Sequence, residues 1–395
     1  MNNNKLVVMA EFSDVRYDAR VLKEAKHLAG MGFQVILFMY DSSSRINYIH
    51  KSDRIIYNIL GNYGWSKNTT WLRLFTKYLT AFQLWINISF SILTTKAIVY
   101  HAHNLKFMLP SYIATKIHRA SLIYDAHELH SSHHDNSSRS GRMKNKLNEY
   151  FERAILPSCT AFIQASRERA DYIAKKYNIP VPFVVNNYVP LQPIAPDNQK
   201  LRRELDLDNN PILFYSGGIY LNGGRRLDNV LEAIRAVDNI NLVIIGFMSD
   251  SVKSELQNIV LKYKLTGSVH FLPPQKHEQL HAYACSSDMG IIPLAGSSIN
   301  TKLSALNKVS EYLMAGLPIL CSNYSNLNDI IFSNNIGTVG DTFDVKSPAS
   351  IAAAMNLIHD SENIATMKKN AYKLACSNYY WENETNTISK IYENI

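Results

Sequence analysis

Short apolar runs alternate along this chain with longer segments in which apolar residues recur every third or fourth position. Lys5–Ala10 (KLVVMA) is an unbroken run of the kind a strand shows when both its faces are covered. From Asp18 to Ala29, residues Val21, Leu22, Ala25 and Leu28 recur at helical spacing, and Gly30 and Gly32 stop the pattern. Val35–Tyr40, Ile55–Leu60, Ala97–Ala102, Ser121–Ala126, Ala161–Ala165 and Phe183–Asn186 are further strand runs. Asn186–Lys200 holds three prolines and no period, and reads as a linker. The alternation then restarts. Strand runs fall at Ile212–Ser216, Leu242–Gly246, Val269–Leu272, Met289–Leu294 and Ile319–Ser322, with helical patterns at Leu227–Val237, Ser251–Lys262 and Lys308–Ala315. The fold class this predicts is α/β, with two doubly wound Rossmann-like domains facing each other across a cleft. Ligands of such sheets bind at the carboxyl ends of the strands. The first domain is expected over residues 1–190 and the second over 200–376.

Two segments depart from the alternation. Trp71–Thr95 is strongly apolar, but Arg73, Lys77, Gln83 and Asn87 interrupt it, so it is not a membrane span. It reads as a core helix or as a helix that touches a bilayer surface. His130–Lys146 is polar and poor in apolar residues, and reads as a mobile loop.

Charge changes the picture because it is unevenly placed. Residues 1–200 hold 25 basic and 14 acidic residues, and the remainder holds 16 and 19. A basic half suggests contact with an anionic membrane face, a lipid phosphate or nucleic acid, with solubility as the plain alternative. The four cysteines form no CxxC pair and no secretory signal opens the sequence, so a reduced, cytoplasmic setting is expected.

Four segments carry candidate chemistry. Tyr215–Leu227 follows a strand and opens a helix. Gly217, Gly218, Gly223 and Gly224 let the backbone approach a ligand, while Arg225 and Arg226 suit a diphosphate near a helix amino end. In Asn307–Leu320, Asn307 is a helix cap and Lys308 a cation in the first turn, where the helix dipole prefers an anion; Glu311 lies three residues on. That placement suggests that an anionic ligand compensates Lys308, and Glu311 is either a ribose ligand or part of a capping box. Tyr100-His-Ala-His-Asn104 ends a first-domain strand, with His101 and His103 on one face. Tyr124-Asp-Ala-His-Glu-Leu129 ends the next strand, with Asp125, His127 and Glu128 costly to bury without purpose. His127, His130, His133 and His134 lack the carboxylate or cysteine pattern of a metal site, so no metal and no cofactor is expected. No GxSxG, GxxxxGK[ST] or GxGxxG pattern stands where its mechanism needs it, which removes the main support for hydrolase, P-loop ATPase and classical dehydrogenase readings.

Taken in order, these motifs resemble the retaining GT-B glycosyltransferases of family 4, from Asp18-Ala-Arg-Val-Leu-Lys-Glu-Ala through Asn307–Pro318 to Tyr380-Trp-Glu. The resemblance implies a nucleotide-sugar site in the second domain and an acceptor site in the first. It implies a last segment, 377–395, that crosses back to the first domain. Arg225 and Lys308 match the groups that grip the diphosphate, Glu311 the ribose ligand, and His103 the histidine set against the donor sugar. Gly217, Gly218 and Asn307 belong to the same donor site, with Gly246 and Pro273 near the base. Asp14 and Arg16 of the opening loop, with His101, Asp125 and Glu128, fall on the acceptor side. The implied partners are a UDP- or GDP-sugar and a lipid-linked or oligosaccharide acceptor in surface-polysaccharide synthesis. The setting implied is cytoplasmic and peripheral on the inner membrane face, without nucleic acid. Three departures stand out: Leu303 where many relatives carry a glutamate, Gly218 where many carry an arginine, and an opening loop, Glu11–Tyr17, without the double glycine of many relatives. The first two motivate a second reading, a catalytically weak nucleotide-sugar-binding partner subunit. A third is a nucleotide-sugar epimerase using His101, His103, Asp125 and Glu128.

Overall fold

In a computed structural model the apolar runs are strands and the periodic segments helices; the structure describes residues 5–14, 18–41, 44, 46–61, 70–134, 137–197, 199–220, 224–296, 298–304, 307–359 and 361–395. The chain divides into two compact units, Met1–Asn187 with Glu384–Ile395, and Tyr188–Asn383.

The first unit carries strands β1 (Leu6–Asp14), β2 (Gln34–Asp41), β3 (Tyr48–Ser52), β4 (Ile55–Gly61), β5 (Val99–His103), β6 (Ser121–Ala126), β7 (Ala161–Gln164) and β8 (Phe183–Val184). They form one sheet in the order β3-β4-β2-β1-β5-β6-β7-β8. All neighbours are parallel except β3 and β4. Its helices are α1 (Ala19–Gly30), α2 (Thr70–Thr94), α3 (Met108–His118), α4 (Arg139–Ile155) and α5 (Arg167–Tyr177). The register pairs His103 with Asp125 across β5 and β6, so two polar residues meet at the carboxyl end of the sheet.

The second unit carries β9 (Ile212–Ser216), β10 (Asn241–Ile245), β11 (Val269–Leu272), β12 (Met289–Ile292), β13 (Ile319–Ser322) and β14 (Gly340–Phe343), all parallel in the order β11-β10-β9-β12-β13-β14. Its helices are α6 (Lys200–Leu205), α7 (Leu227–Ile234), α8 (Asp250–Lys262), α9 (His277–Cys285), α10 (Ile299–Lys302), α11 (Asn307–Met314), α12 (Ser325–Ile331), α13 (Pro348–Met355) and α14 (Ser361–Asn378). Helix α15 (Trp381–Glu393) follows, and its Ile388, Ile391 and Tyr392 are buried in the first unit.

Several expectations are corrected. The opening segment Glu11–Asp14 is strand rather than loop, with the β1 register shifting between Ala10 and Asp14. Arg16 lies outside the described residues. The polar segment 130–146 is not a loop throughout: α4 begins at Arg139, capped by Ser138, whose side chain accepts from the Gly141 amide. Its earlier half is held by two asparagines of α4. Asn145 brackets the backbone N–H and C=O of His134, and Asn148 donates to the His130 carbonyl. Side-chain amides replaced the apolar contacts whose absence suggested mobility. Asn307 is the first residue of α11 rather than its cap, and its carbonyl accepts from Ser310 Oγ. Strands β3 and β14 escape an apolar-run reading because β3 is an exposed edge and β14 reads Gly-Asp-Thr-Phe.

Candidate active site

The second unit gathers cations over a glycine. Strand β9 ends at Ser216, and Gly217 follows with φ +116°, a conformation that favours glycine. Its amide donates to the Ile245 carbonyl, and a Cβ at Gly246 would lie 1.8 Å from the Gly217 oxygen. Gly217 and Gly246 therefore pack backbone on backbone. A Cβ at Gly217 would lie 2.5 Å from Lys308 Nζ and 3.9 Å from Arg225 Nη1, so both cations reach the same point above the turn. Arg225 donates to the Gly218 carbonyl and to Tyr215 Oη at 3.3 Å. The Lys308 ammonium lies 5.3 Å from the centre of the Tyr215 ring. Burial and the Arg225 charge push Lys308 down to about 8 against the opposing pull of Glu311.

The packing of α11 sets this geometry. Tyr312 is fully buried, and its Oη accepts the Ser216 amide at 3.1 Å. Gly290 makes room for that ring, since a Cβ there would lie 2.4 Å from it. Tyr312 thus ties α11 to the end of β9 and brings Lys308 and Glu311 beside the glycine turn. Glu311 lines a small cavity there with Ser216 and Tyr312. Asn307 is exposed, and Pro273 lies exposed just past β11, its carbonyl accepting from Gln275.

The first unit buries a compensated charge network. The Arg20 guanidinium grips Asp125 through two bonds of 3.0 and 2.7 Å, approaches Glu24 at 3.0 Å and donates to the Val185 carbonyl. His103 Nδ1 and His127 Nε2 each lie 3.1 Å from the same Asp125 oxygen. Burial opposes ionisation of Asp125, but Arg20 and the two imidazole bonds hold it well below the usual carboxylate range. Burial and the Asp125 charge push Glu24 up to about 8 against the pull of Arg20. Burial likewise lowers His101 and, against the pull of Asp125, His103, which favours the neutral rings. They stack at 4.4 Å, as strand alternation implies, and His101 Nδ1 meets Tyr392 Oη at 2.9 Å. A proton on His103 Nδ1 directed at Asp125 leaves its buried Nε2, which has no partner among the described residues, as an acceptor. Glu24, His101, His103 and Asp125 place ligand-type atoms within 4.8 Å of one another, yet Arg20 already supplies their cation. This grouping was not apparent from the histidine-rich segment.

Above the network lies a cavity of about 890 Å³ at the carboxyl ends of β1, β5 and β6. Its polar lining includes Glu11, Asn104, His127, Glu128 and His130. Among the predicted residues Glu128 therefore lines the cavity. His101, His103 and Asp125 lie fully buried, and Asp14 is buried near the end of β1. Glu128 accepts from His133 at 2.5 Å, and that bond holds it down at about 2.

Sequence reasoning missed the residue at the hub. Asn104 has φ +60° and ψ 173°, a strained conformation for any residue but glycine. Its Nδ2 donates to Glu11 at 3.0 Å, and its Oδ1 accepts from the His127 amide at 3.1 Å and from His130 Nε2 at 3.0 Å. Glu11 is buried, which pushes it up to about 7. The only signal was the asparagine that closes the His-Ala-His-Asn run.

Comparisons agree with this architecture. Residues 197–374 match the family described as Glycosyl transferases group 1, and residues 19–192 match Glycosyltransferase Family 4. Compared by sequence with curated proteins, the chain has no match. Among solved structures it is similar to the sucrose-phosphate synthase of Thermosynechococcus elongatus, with TM-score 0.75 and 14% identity over 99% of this chain and 98% of that one. It is similar to Anabaena HepE in complex with UDP and glucose, with TM-score 0.72 and 13% identity over 99% and 100%. It is also similar to the catalytic domain of Arabidopsis thaliana starch synthase IV bound to ADP and acarbose, with TM-score 0.64 and 12% identity over 99% of each chain. The chain belongs to the family 4 glycosyltransferases of GT-B fold. It is an enzyme, a glycosyltransferase.

Proposed function

We propose that this enzyme transfers a sugar with retention from a UDP- or GDP-sugar to a lipid-linked or oligosaccharide acceptor in surface-polysaccharide synthesis, on the cytoplasmic face of a membrane. The observation that carries the donor half is the convergence of Lys308 and Arg225 over Gly217. Two like charges held together are unfavourable until an anion joins them, and a diphosphate supplies that anion. The UDP bound to Anabaena HepE supports a nucleoside diphosphate as its source.

In this reading Arg225 and Lys308 bind the diphosphate and stabilise the charge that grows on it as the glycosidic bond breaks. Glu311 accepts from the ribose hydroxyls, Gly217 lets the phosphates approach the backbone, and Gly246 holds the Gly217 turn in place. His103, which the resemblance sets against the donor sugar, is fully buried and acts here as a positioning residue through Asp125 and His127. Glu128, Glu11 and Asn104 orient the acceptor in the first-unit cavity. Transfer then depends on positioning and charge stabilisation, and this chain needs neither metal nor cofactor for it.

Calorimetric titration with UDP and with GDP tests the reading. One nucleotide should bind, and Arg225→Ala should weaken it about tenfold to a hundredfold, the worth of a charge-assisted hydrogen bond. Glu311→Ala should weaken it less. Binding of neither nucleotide, or full affinity in Arg225→Ala, would overturn the donor site.

A further inference from the structure

Helices α2, α3 and α4 of the first unit each carry an apolar stripe that the fold leaves uncovered. On α2, Tyr78, Phe82, Ile86 and Phe90 recur every fourth residue, and all are exposed. On α3 the stripe is Leu109, Ile113 and Ile117, and on α4 it is Met143, Leu147 and Tyr150. A helix face of a monomeric protein is ordinarily polar where it meets water. The opposite side of α2 is ordinary core, with Leu84, Ile88 and Ile92 buried.

The stripes are continuous with the cavity. Leu109 and Leu147 both line it while remaining 38% and 54% exposed. Trp85 lines it as well, and its ring stacks on exposed Phe82 at 6.3 Å. Phe151 and Ile155 extend the same wall inward from α4. The lining therefore combines hydrocarbon from α2, α3 and α4 with polar groups that include Glu11, Asn104 and Glu128.

Charge around the stripes has one sign. Sequences α2 and α3 contain no acidic residue, and α4 contains two. Of these, Glu149 is paired with Arg153 and Lys176, and Glu152 is buried beneath Tyr124 and Tyr177. Lys116, Arg119, Arg142, Lys144 and Lys146 are exposed beside the apolar residues. Apolar side chains bordered by lysine and arginine match the interface of an anionic bilayer.

We propose that this face docks on an anionic lipid bilayer, and that the cavity takes a glycolipid acceptor from it. The sugar end lies against Glu11, Asn104 and Glu128, and the aliphatic part runs along Trp85, Leu109, Leu147 and Phe151 to the exposed stripes. The inference rests on the glycosyltransferase reading for its acceptor, and its surface is separate from the residues that hold the nucleotide.

Flotation of the full chain with phosphatidylcholine vesicles, with and without phosphatidylglycerol, tests the docking. The protein should float with the anionic vesicles, less as salt rises, and remain behind with phosphatidylcholine alone. Phe82→Asp combined with Ile113→Asp and Ile117→Asp should lose at least tenfold in partitioning while binding UDP or GDP as the wild type does. Should that variant fold poorly, Lys116→Gln with Arg119→Gln and Lys146→Gln should lose most of the salt-dependent part. Titration with alkyl glucosides of increasing chain length tests the cavity, and affinity should rise roughly three- to fourfold per buried methylene. Absence of flotation, flotation unchanged by both variants, or affinity independent of chain length would overturn the proposal. Nucleotide binding separates the two readings: a wild-type chain that binds UDP or GDP but does not float overturns the docking face alone, and one that floats but binds neither nucleotide overturns the donor site alone.

Discussion

The two units place charge at the carboxyl ends of parallel sheets in opposite ways. In the first, Arg20 lies between Asp125 and Glu24, the imidazoles complete the bonds of Asp125, and Glu24 holds a proton up to about pH 8. Every charge there has its counterpart inside the protein. In the second, Lys308 and Arg225 press toward one glycine, and the Arg225 charge helps push the Lys308 ammonium down to about 8. A balanced network organises a scaffold, and an unbalanced pair is completed by a ligand. In the proposed function, the buried residues of the first unit position and the cations of the second take up the anion.

The comparison breaks most visibly at Arg20. Arg20→Ala would strand Asp125 as an uncompensated buried charge, and should cost about 3–5 kcal/mol in urea unfolding. Nucleotide binding by the second unit should persist in the fraction that folds. A stability loss no larger than that of a surface arginine would show that the network is not balanced as described.

Asn104 gives a smaller and sharper effect. Asn104→Ala removes three side-chain bonds and keeps the positive φ, and should cost about 1–3 kcal/mol. Asn104→Gly removes the same bonds but relieves the backbone, so it should be less damaging by about 1 kcal/mol. Equal unfolding midpoints for the two variants would refute the strain.

The pH dependence separates the units most finely. Lys308 must hold its proton to bind a diphosphate, so UDP or GDP affinity should fall as pH rises through about 8, by at most about tenfold per unit. Lys308→Arg should abolish that fall. For stability the signs are opposite. The folded value of Lys308 lies below that of an unfolded lysine, so its cost is present below about 8 and disappears as pH rises toward the ordinary lysine range. Glu11 and Glu24, at about 7 and about 8, lie above unfolded carboxyl values. The folded chain keeps their protons after the unfolded chain has lost them, so stability falls as pH rises from the ordinary carboxylate range to about 8. Urea midpoints measured across pH check both signs.

Much of this was legible in residue order. Period and run length mark most strands and helices, and His101, His103, Asp125, Gly217 and Gly246 fall at or just past strand ends as the runs imply. The asparagine-held turn at 130–134, edge strand β3 and short β14 were not legible, because each depends on partners far along the chain or lacks an apolar run.

The sequence by itself determined two doubly wound units, the cations that follow the glycines and open α11, and the histidine and carboxylate clusters, because periodicity and local residue chemistry need no long-range contact. Only the tertiary structure decided that Arg20 neutralises Asp125 across 105 positions, that Tyr312 brings α11 to the end of β9, that Asn104 is the strained hub, and that the apolar stripes of α3 and α4 reach one cavity, to which α2 is joined through Trp85. Those relations depend on the register of strands and on which helix faces pack together, and no window along the chain contains both partners.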